Sequence, residues 1–258
     1  MKKRVVGLLS VFLCFCMMCS CDSLDEAKVS DSVGHRITVA VKSDSDELLA
    51  AEAYSSRKGL DIVKYNETSD AVSAVLNGKA DYVVLNEYDS YEYLDAGNEL
   101  EFVESTEYKI EHVAWFNADN EQLRDEFNKA LDALEQEGVL LKIKEANMKG
   151  RAYTYDKSNP IKGELIMLCD PVFENIICYS ENGDIRGTDY DIARAVCSYL
   201  GYSLTVEVVD FDKMFVSLEE GEGDFIMSAS QYTSERAGFF IASDVYSSLN
   251  YNVYKRMT

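Results

Sequence analysis

Histidine and proline are almost missing, with two of each in 258 residues. His35 and His112 stand in no metal-ligand spacing with cysteine or acidic residues, which excludes a structural zinc site and a Ser-His-Asp hydrolase. No metal and no cofactor is expected. Four of the seven cysteines precede residue 22, and the other three, Cys169, Cys178 and Cys197, contain no CxxC. An odd set of this kind excludes a disulfide framework and reads as small buried apolar residues. Positive charge is scarce too, with 25 Lys+Arg against 46 Asp+Glu and a net charge of −21. Such an acidic surface excludes nucleic acid and anionic lipid headgroups as partners. After residue 18 no apolar run approaches the length of a membrane span.

The chain opens on "MKKRVVGLLSVFLCFCMMCSCDS", three cations followed by an apolar stretch of 14 residues from Val5 to Met18. That length suits a secretory leader better than a membrane-spanning helix. Met18-Cys19-Ser20-Cys21 resembles the lipobox of bacterial lipoproteins. The resemblance implies a signal peptide over 1–20, lipidation at Cys21 and a polar tether over 21–35. Acyl chains would hold the protein on the outer face of the cytoplasmic membrane, periplasmic in a Gram-negative cell, with no other membrane contact. An ordinary signal peptide or a short anchor is the alternative. Loss of the three leader cations leaves 22 Lys+Arg against 46 Asp+Glu, a net charge of −24.

Beyond the tether the chain has one plan written twice. Short β-branched runs at 36–41, 60–65, 80–86 and 100–105 alternate with helical patterns at 46–57, 68–78 (Thr68 as N-cap, Gly78 as stop) and 87–97. Strands at 164–170, 203–210 and 223–228 alternate with helices at 188–201 and 212–221, and "YSENGDIRG" reads as a hairpin turning at Asn182-Gly183. "VLNGKADYVVL" superposes on "SLEEGEGDFIM", with Gly78 on Gly221 and Asp81 on Asp224. This is an α/β pattern of βαβ units with mainly parallel strands, expected as two lobes and not as one continuous sheet. A helix over 117–138 stops at Gly138, and 148–163 reads as a linker.

The second half resembles the first lobe of family 3 extracellular solute-binding proteins, the amino-acid receptors of ABC importers. The family pattern G-F-D-V-D-(apolar)-A, D-W-D, G-x-x-D, T-P-E-R and F-S-x-P-Y corresponds to Gly187–Ala193, Asp210-Phe211-Asp212, Gly221–Asp224, Thr233-Ser234-Glu235-Arg236 and Ile241–Tyr246. "RITVAVKSDSDELL", "AVLNGKADYVVLNE" and "EYKIEHVAWFNADNEQLRDEFNKALDALEQEGVLLKI" resemble the family's other lobe and its terminal helices. The order is reversed, so the resemblance implies a two-lobed periplasmic-binding-protein-like fold (type II) in circularly permuted order. Lobe two would occupy 36–113. Lobe one would occupy 114–258, with helices over 119–147 and the join of the old ends at 148–163. A fragment of a tandem array, or lobes exchanged between chains, is the alternative.

By the same resemblance Arg236 grips a ligand carboxylate, Asp170 contacts the ligand, and Phe173 and Phe211 clamp it. Ser228, Ser230 and Gln231 complete that side. Ser43, Asp44 and Asn86 stand at the lobe-two positions. The family has Gly-Thr-Thr at Lys42-Ser43-Asp44, where Asp44 opposes an anion. Asn86 replaces the aspartate that holds the α-ammonium, so Glu87 or Asp89 takes its place or the ligand lacks an ordinary α-amino group. The crossings between lobes fall at 110–117 and 248–255, the second of them cut in a permuted chain. The expected function is capture of a small amino acid or related carboxylate for an ABC permease. A ligand-sensing lipoprotein without transport is the rival, and a dehydratase on the same fold using Glu174 is a third. No catalytic residues are assigned and no enzyme is expected.

Overall fold

Two unusually long strands organise the chain. The computed structural model describes residues 36–95, 99–155 and 162–257. The leader, Cys21 and the tether lie outside the described residues. β4 (Leu100–Asn117) and β11 (Phe240–Arg256) run antiparallel to each other over nearly their full lengths. Beside β11 lie β3 (Tyr82–Asn86), β1 (Thr38–Lys42) and β2 (Asp61–Tyr65); beside β4 lie β10 (Phe225–Ile226), β5 (Glu164–Cys169) and β9 (Ser203–Val208). The eight strands form one sheet in the order β2-β1-β3-β11-β4-β10-β5-β9. Each flank is parallel within itself, and antiparallel ladders join the flanks at the centre.

The expectation of two separate sheets is therefore corrected. β4 and β11 stitch the flanks into one hydrogen-bonded ladder, which bends at register shifts between Ala242 and Val245, Val245 and Ser247, Asn250 and Asn252, and Val253 and Tyr254. Bulges of this kind turn a strand without ending its pairing. The second crossing is also not cut. β11 passes from Ile241, opposite Phe116, to Tyr254, opposite Val83 of β3, so both crossings are continuous strands.

Seven helices cover the flanks among the described residues: α1 (Asp46–Lys58), α2 (Thr68–Leu76), α3 (Glu87–Asp95), α4 (Glu121–Gln136), α5 (Val139–Met148), α6 (Thr188–Leu200) and α7 (Phe211–Glu219). The N-cap of α2 is Glu67 and not Thr68, which is already helical. Gly138, with φ 69°, ends α4 as expected and starts α5. A small antiparallel sheet of β6 (Val172–Phe173), β7 (Ile177–Tyr179) and β8 (Ile185–Arg186) turns at Gly183, with φ 87°.

The repeated sequence plan has a repeated physical cause. Asp81 Oδ2 accepts from Thr38 N at 2.8 Å, and Asp224 Oδ2 accepts from Ile166 N at 2.7 Å. Each carboxylate thereby locks the strand it introduces against the backbone of the neighbouring parallel strand. The largest core lies between α4, α6 and the β4–β10 side of the sheet, where Phe116, Phe127 and Phe225 are fully buried in mutual contact.

Candidate functional site

The segment 228–236 leaves β10 and forms one wall of a cavity of about 320 Å³. Ser228, Ser230, Gln231 and Arg236 line it, joined by Phe173 from β6 and Phe211 from the start of α7. Six of the ten expected ligand residues thus share one cavity. The loop is held from behind: Val113 N donates to Ser230 O at 2.9 Å, and His112 bridges Gln231. Ser228 is fully buried and accepts from Asp170 N at 3.0 Å. Ala229 adopts φ 50°, a left-handed conformation uncommon for a residue with a Cβ.

Arg236 opens a single 3-10 turn, and its backbone N–H donates to Thr233 Oγ1 at 3.2 Å. The guanidinium lies over two rings of α7, with Cζ 4.7 Å from the centroid of Phe215 and 5.4 Å from that of Phe211. Its Nη1 donates to Ser230 Oγ and to Gln231 O, each at 3.3 Å. Among the described residues no carboxylate pairs with Arg236, and its Nε and Nη2 hold no hydrogen bond. That leaves one edge of the fork for two parallel bonds to a planar anion. Burial lowers the guanidinium from its usual value, with Glu235 opposing the shift.

Asp170 is near the cavity but does not line it. Its Oδ2 accepts from Phe211 N at 3.1 Å, so the carboxylate is spent at the N-terminus of α7. Phe211 serves first as a platform for Arg236, although its ring also reaches the cavity wall. Phe215 was not singled out from the sequence. Its place one turn after Phe211 on α7 puts both rings on one face, and that spacing was the available signal.

Ser43, Asp44 and Asn86 gather elsewhere, at the N-termini of α1 and α3. Ser43 N donates to Tyr65 O at 2.7 Å, Asp44 takes φ 52°, and Ser45 caps α1. Asn86 Oδ1 accepts from the backbone of Tyr88 and Asp89, both at 2.9 Å. Its Nδ2 donates to Glu47 at 2.7 Å and to Asp89 at 3.0 Å. Asn86 is therefore a helix cap that also holds two carboxyls together. Burial, then the charge of Glu47, raises Asp89 above the usual carboxylate range. Glu87 is tied to Lys144 at 2.6 Å and accepts from Asn250 N at 3.0 Å. Glu174 forms a surface ion pair with Arg186.

Three kinds of likeness accompany this geometry. Residues 165–257 match the model of bacterial extracellular solute-binding proteins, family 3. The chain is 31% identical over 87 residues to membrane-bound lytic murein transglycosylase F of Desulfosudis oleivorans, across 34% of this chain and 19% of that protein. It is 30% identical over 78 residues to the arginine-binding extracellular protein ArtP of Bacillus subtilis, across 30% of this chain and 31% of that protein. The chain thus spans less than a third of the length of these relatives. Among solved structures, the L-cystine solute receptor of Neisseria gonorrhoeae aligns at 21% identity and TM-score 0.29, covering 31% of this chain and 34% of the receptor. A phosphate-binding protein of a phosphate ABC transporter from Streptococcus pneumoniae aligns over 86% of this chain and 88% of its own at 11% identity and TM-score 0.47. The matched family is one of binding proteins and not of enzymes. Residues 165–257, the stretch that carries Arg236 and its loop, are thus similar to the bacterial extracellular solute-binding proteins, family 3.

Proposed function

We propose that the protein captures a small carboxylate-bearing solute, an amino acid or a close relative, and presents it to an ABC permease from a lipid anchor at Cys21 on the outer face of the membrane. The observation that carries this reading is the unpaired Nε/Nη2 edge of Arg236 beside a cavity of about 320 Å³. Pockets of that size suit small ligands, and a guanidinium held on aromatic faces loses little freedom when an anion docks. ArtP is named for arginine, and the Glu47 and Asp89 carboxyls that Asn86 holds together would suit a ligand with a cationic end.

Removing Arg236 tests the reading. Arg236→Ala is expected to weaken L-arginine or another bound amino acid by about 10- to 100-fold, since a hydrogen bond to a charged group contributes about 1.5–3 kcal/mol. Titration calorimetry on both proteins measures it. Equal affinity in the variant would overturn the assignment.

A second reading, ligand sensing without transport, is favoured by Asn86. Both ends of its amide are engaged in capping α3 and holding Glu47 and Asp89, so no free group there awaits an α-ammonium. Coupling to a permease separates the readings: solute uptake that depends on this protein supports the first.

The lobe order fits a circular permutation, and strand directions support it. β11 is antiparallel to β3, and β3 is parallel to β1. The end of β11 and the start of β1 therefore lie at the same end of the sheet, two strand spacings or about 10 Å apart. A reordered chain running from 162 to 257, through a short Gly/Ser linker, and on from 36 to 155 is expected to fold as a monomer with unchanged amino-acid affinity. Aggregation, or a dimer by light scattering, would count against the permutation.

A further inference from the structure

A carboxyl group lies directly behind the Arg236 loop, and among the described residues no cation pairs with it. Asp189 is the second residue of α6 and is fully buried. Its position is set by backbone bonds, because Thr188 N donates to Asn175 O at 3.0 Å and Asp189 N donates to Ile176 O at 2.9 Å. Its Oδ2 accepts from Ala229 N at 2.7 Å. That amide belongs to the one residue of the cavity wall held in a left-handed conformation. Among the described residues the other oxygen, Oδ1, has no hydrogen-bond partner, and neither has the buried hydroxyl of Tyr246 on β11. Tyr246 lies beside Asp189, close enough that each influences the other's ionisation, without completing a bond of ordinary geometry.

We propose that Asp189 is a positioning residue of the Arg236 site. Its carboxyl fixes the turn at Ala229 that aims Ser228, Ser230 and Gln231 into the cavity, and it links that turn to the crossing strand β11 through Tyr246. The proposal rests on the solute-binding reading of Arg236 for its functional consequence, while the contact to Ala229 stands by itself.

The groups around Asp189 explain why it also responds to protons. From β11 comes Tyr246, raised well above the usual phenol range by burial and then by the charge of Asp189. From α3 comes Tyr88, whose hydroxyl contacts Thr188 Oγ1 at 2.7 Å and which burial also raises. From β5 comes Cys169, pushed up to about 12 by burial and then by Asp189. From β4 comes His112, packed on the Tyr246 ring and lowered to about 4 by burial and then by Lys144. All four are neutral at physiological pH. The charged groups, Glu87 with Lys144 and Asp170, stand behind them. Burial therefore wins over the Ala229 bond, and the Asp189 carboxyl is pushed up to about 7.

The sign is set by linkage. Between the unfolded value of 3.8 and about 7 the folded protein holds a proton that the unfolded chain has released. The stability that this group contributes is complete below that window and is lost as pH rises through about 7. An anion entering the cavity one peptide away favours the protonated carboxyl further. Each unit by which it does so makes about a tenfold difference in affinity across the titration. Carboxylate solutes are thus expected to bind more weakly as pH rises from 6 to 8.5.

Three measurements on the full-length protein decide the matter. Difference infrared spectra should show a buried protonated carboxyl band that titrates near 7 and is absent in Asp189→Asn. Hydrogen exchange of the 228–231 backbone should be several-fold faster in Asp189→Ala and normal in Asp189→Asn, whose amide oxygen still accepts from Ala229. L-Arginine affinity should fall with pH in the wild type, stay flat in Asp189→Asn, and drop by about tenfold or more in Asp189→Ala. Wild-type exchange in folded Asp189→Ala, or a wild-type pH slope in Asp189→Asn, would overturn the proposal. Should Asp189→Ala fail to fold, the infrared band and the slope in Asp189→Asn decide alone. Failure of L-arginine and other amino acids to bind the wild type, or unchanged binding in Arg236→Ala, sinks the solute reading instead. Infrared and exchange still judge Asp189 in that case.

Discussion

Gly187→Ala is expected to cost about 2–6 kcal/mol of folding stability, combining positive-φ strain of about 1–3 with overpacking of about 1–3. Gly187 has φ 122°, a region that residues with a Cβ rarely adopt. A Cβ built there would lie 2.3 Å from Ile176 O and 2.5 Å from Ile176 C, both backbone atoms. No side-chain rotation relieves that contact, so either α6 or the 175–177 segment must move. Moving α6 displaces Thr188 and Asp189 together, and the variant should lose amino-acid affinity as well as stability. Urea unfolding followed by circular dichroism measures the first effect. An unchanged midpoint would show that the close approach at Ile176 is not maintained in solution.

The flanks were legible because each obeys local rules. Short β-branched runs followed by helices with glycine stops mark βαβ units, and the Asp81/Asp224 repeat marked the same lock built twice. The centre was not legible in the same way. β4 and β11 pass from solvent through the core to the far flank, and four register shifts break the period of two that identifies a strand. Sequence also carries no mark of which strands pair across a long separation, so the joining of the flanks into one sheet was missed. In the site, the T-S-E-R segment placed Arg236 in a cavity, but the rings beneath it depend on helix phase, and Phe215 was passed over. Asn86 precedes a helix as an ordinary N-cap, while comparison with the family drew attention only to its missing charge. The surroundings of Asp189 come from β4, β5, α3 and β11, elements far apart in the chain, and tertiary structure alone assembles them.

Phe127→Ala should be the most damaging change in the core, at about 3–5 kcal/mol. Phe127 is fully buried on α4, with its ring centroid 5.3 Å from Phe116 of β4 and 5.4 Å from Phe225 of β10. The three rings contact one another in pairs, so truncation removes two aromatic contacts and leaves a void that rigid strands on one side cannot fill. Domains of this size have total stabilities of about 5–15 kcal/mol, so the loss is a large share of the whole. At about 2–4 °C per kcal/mol, the thermal midpoint should fall by roughly 6–20 °C. Phe127→Leu, which keeps most of the volume, should recover a large part of that. The location matters for the permuted order. α4 follows the first flank in sequence, yet its apolar face packs beside β10 and α6 of the second. If α4 belongs to the second flank, the variant should loosen the Arg236 wall, because Phe225 begins the strand that leads directly into Ser228. Exchange of the 228–231 amides should then rise along with the global instability, while the β1–β3 amides report only global unfolding. Equal acceleration in both flanks would mean that the central ladder of β4 and β11 makes the sheet one cooperative unit.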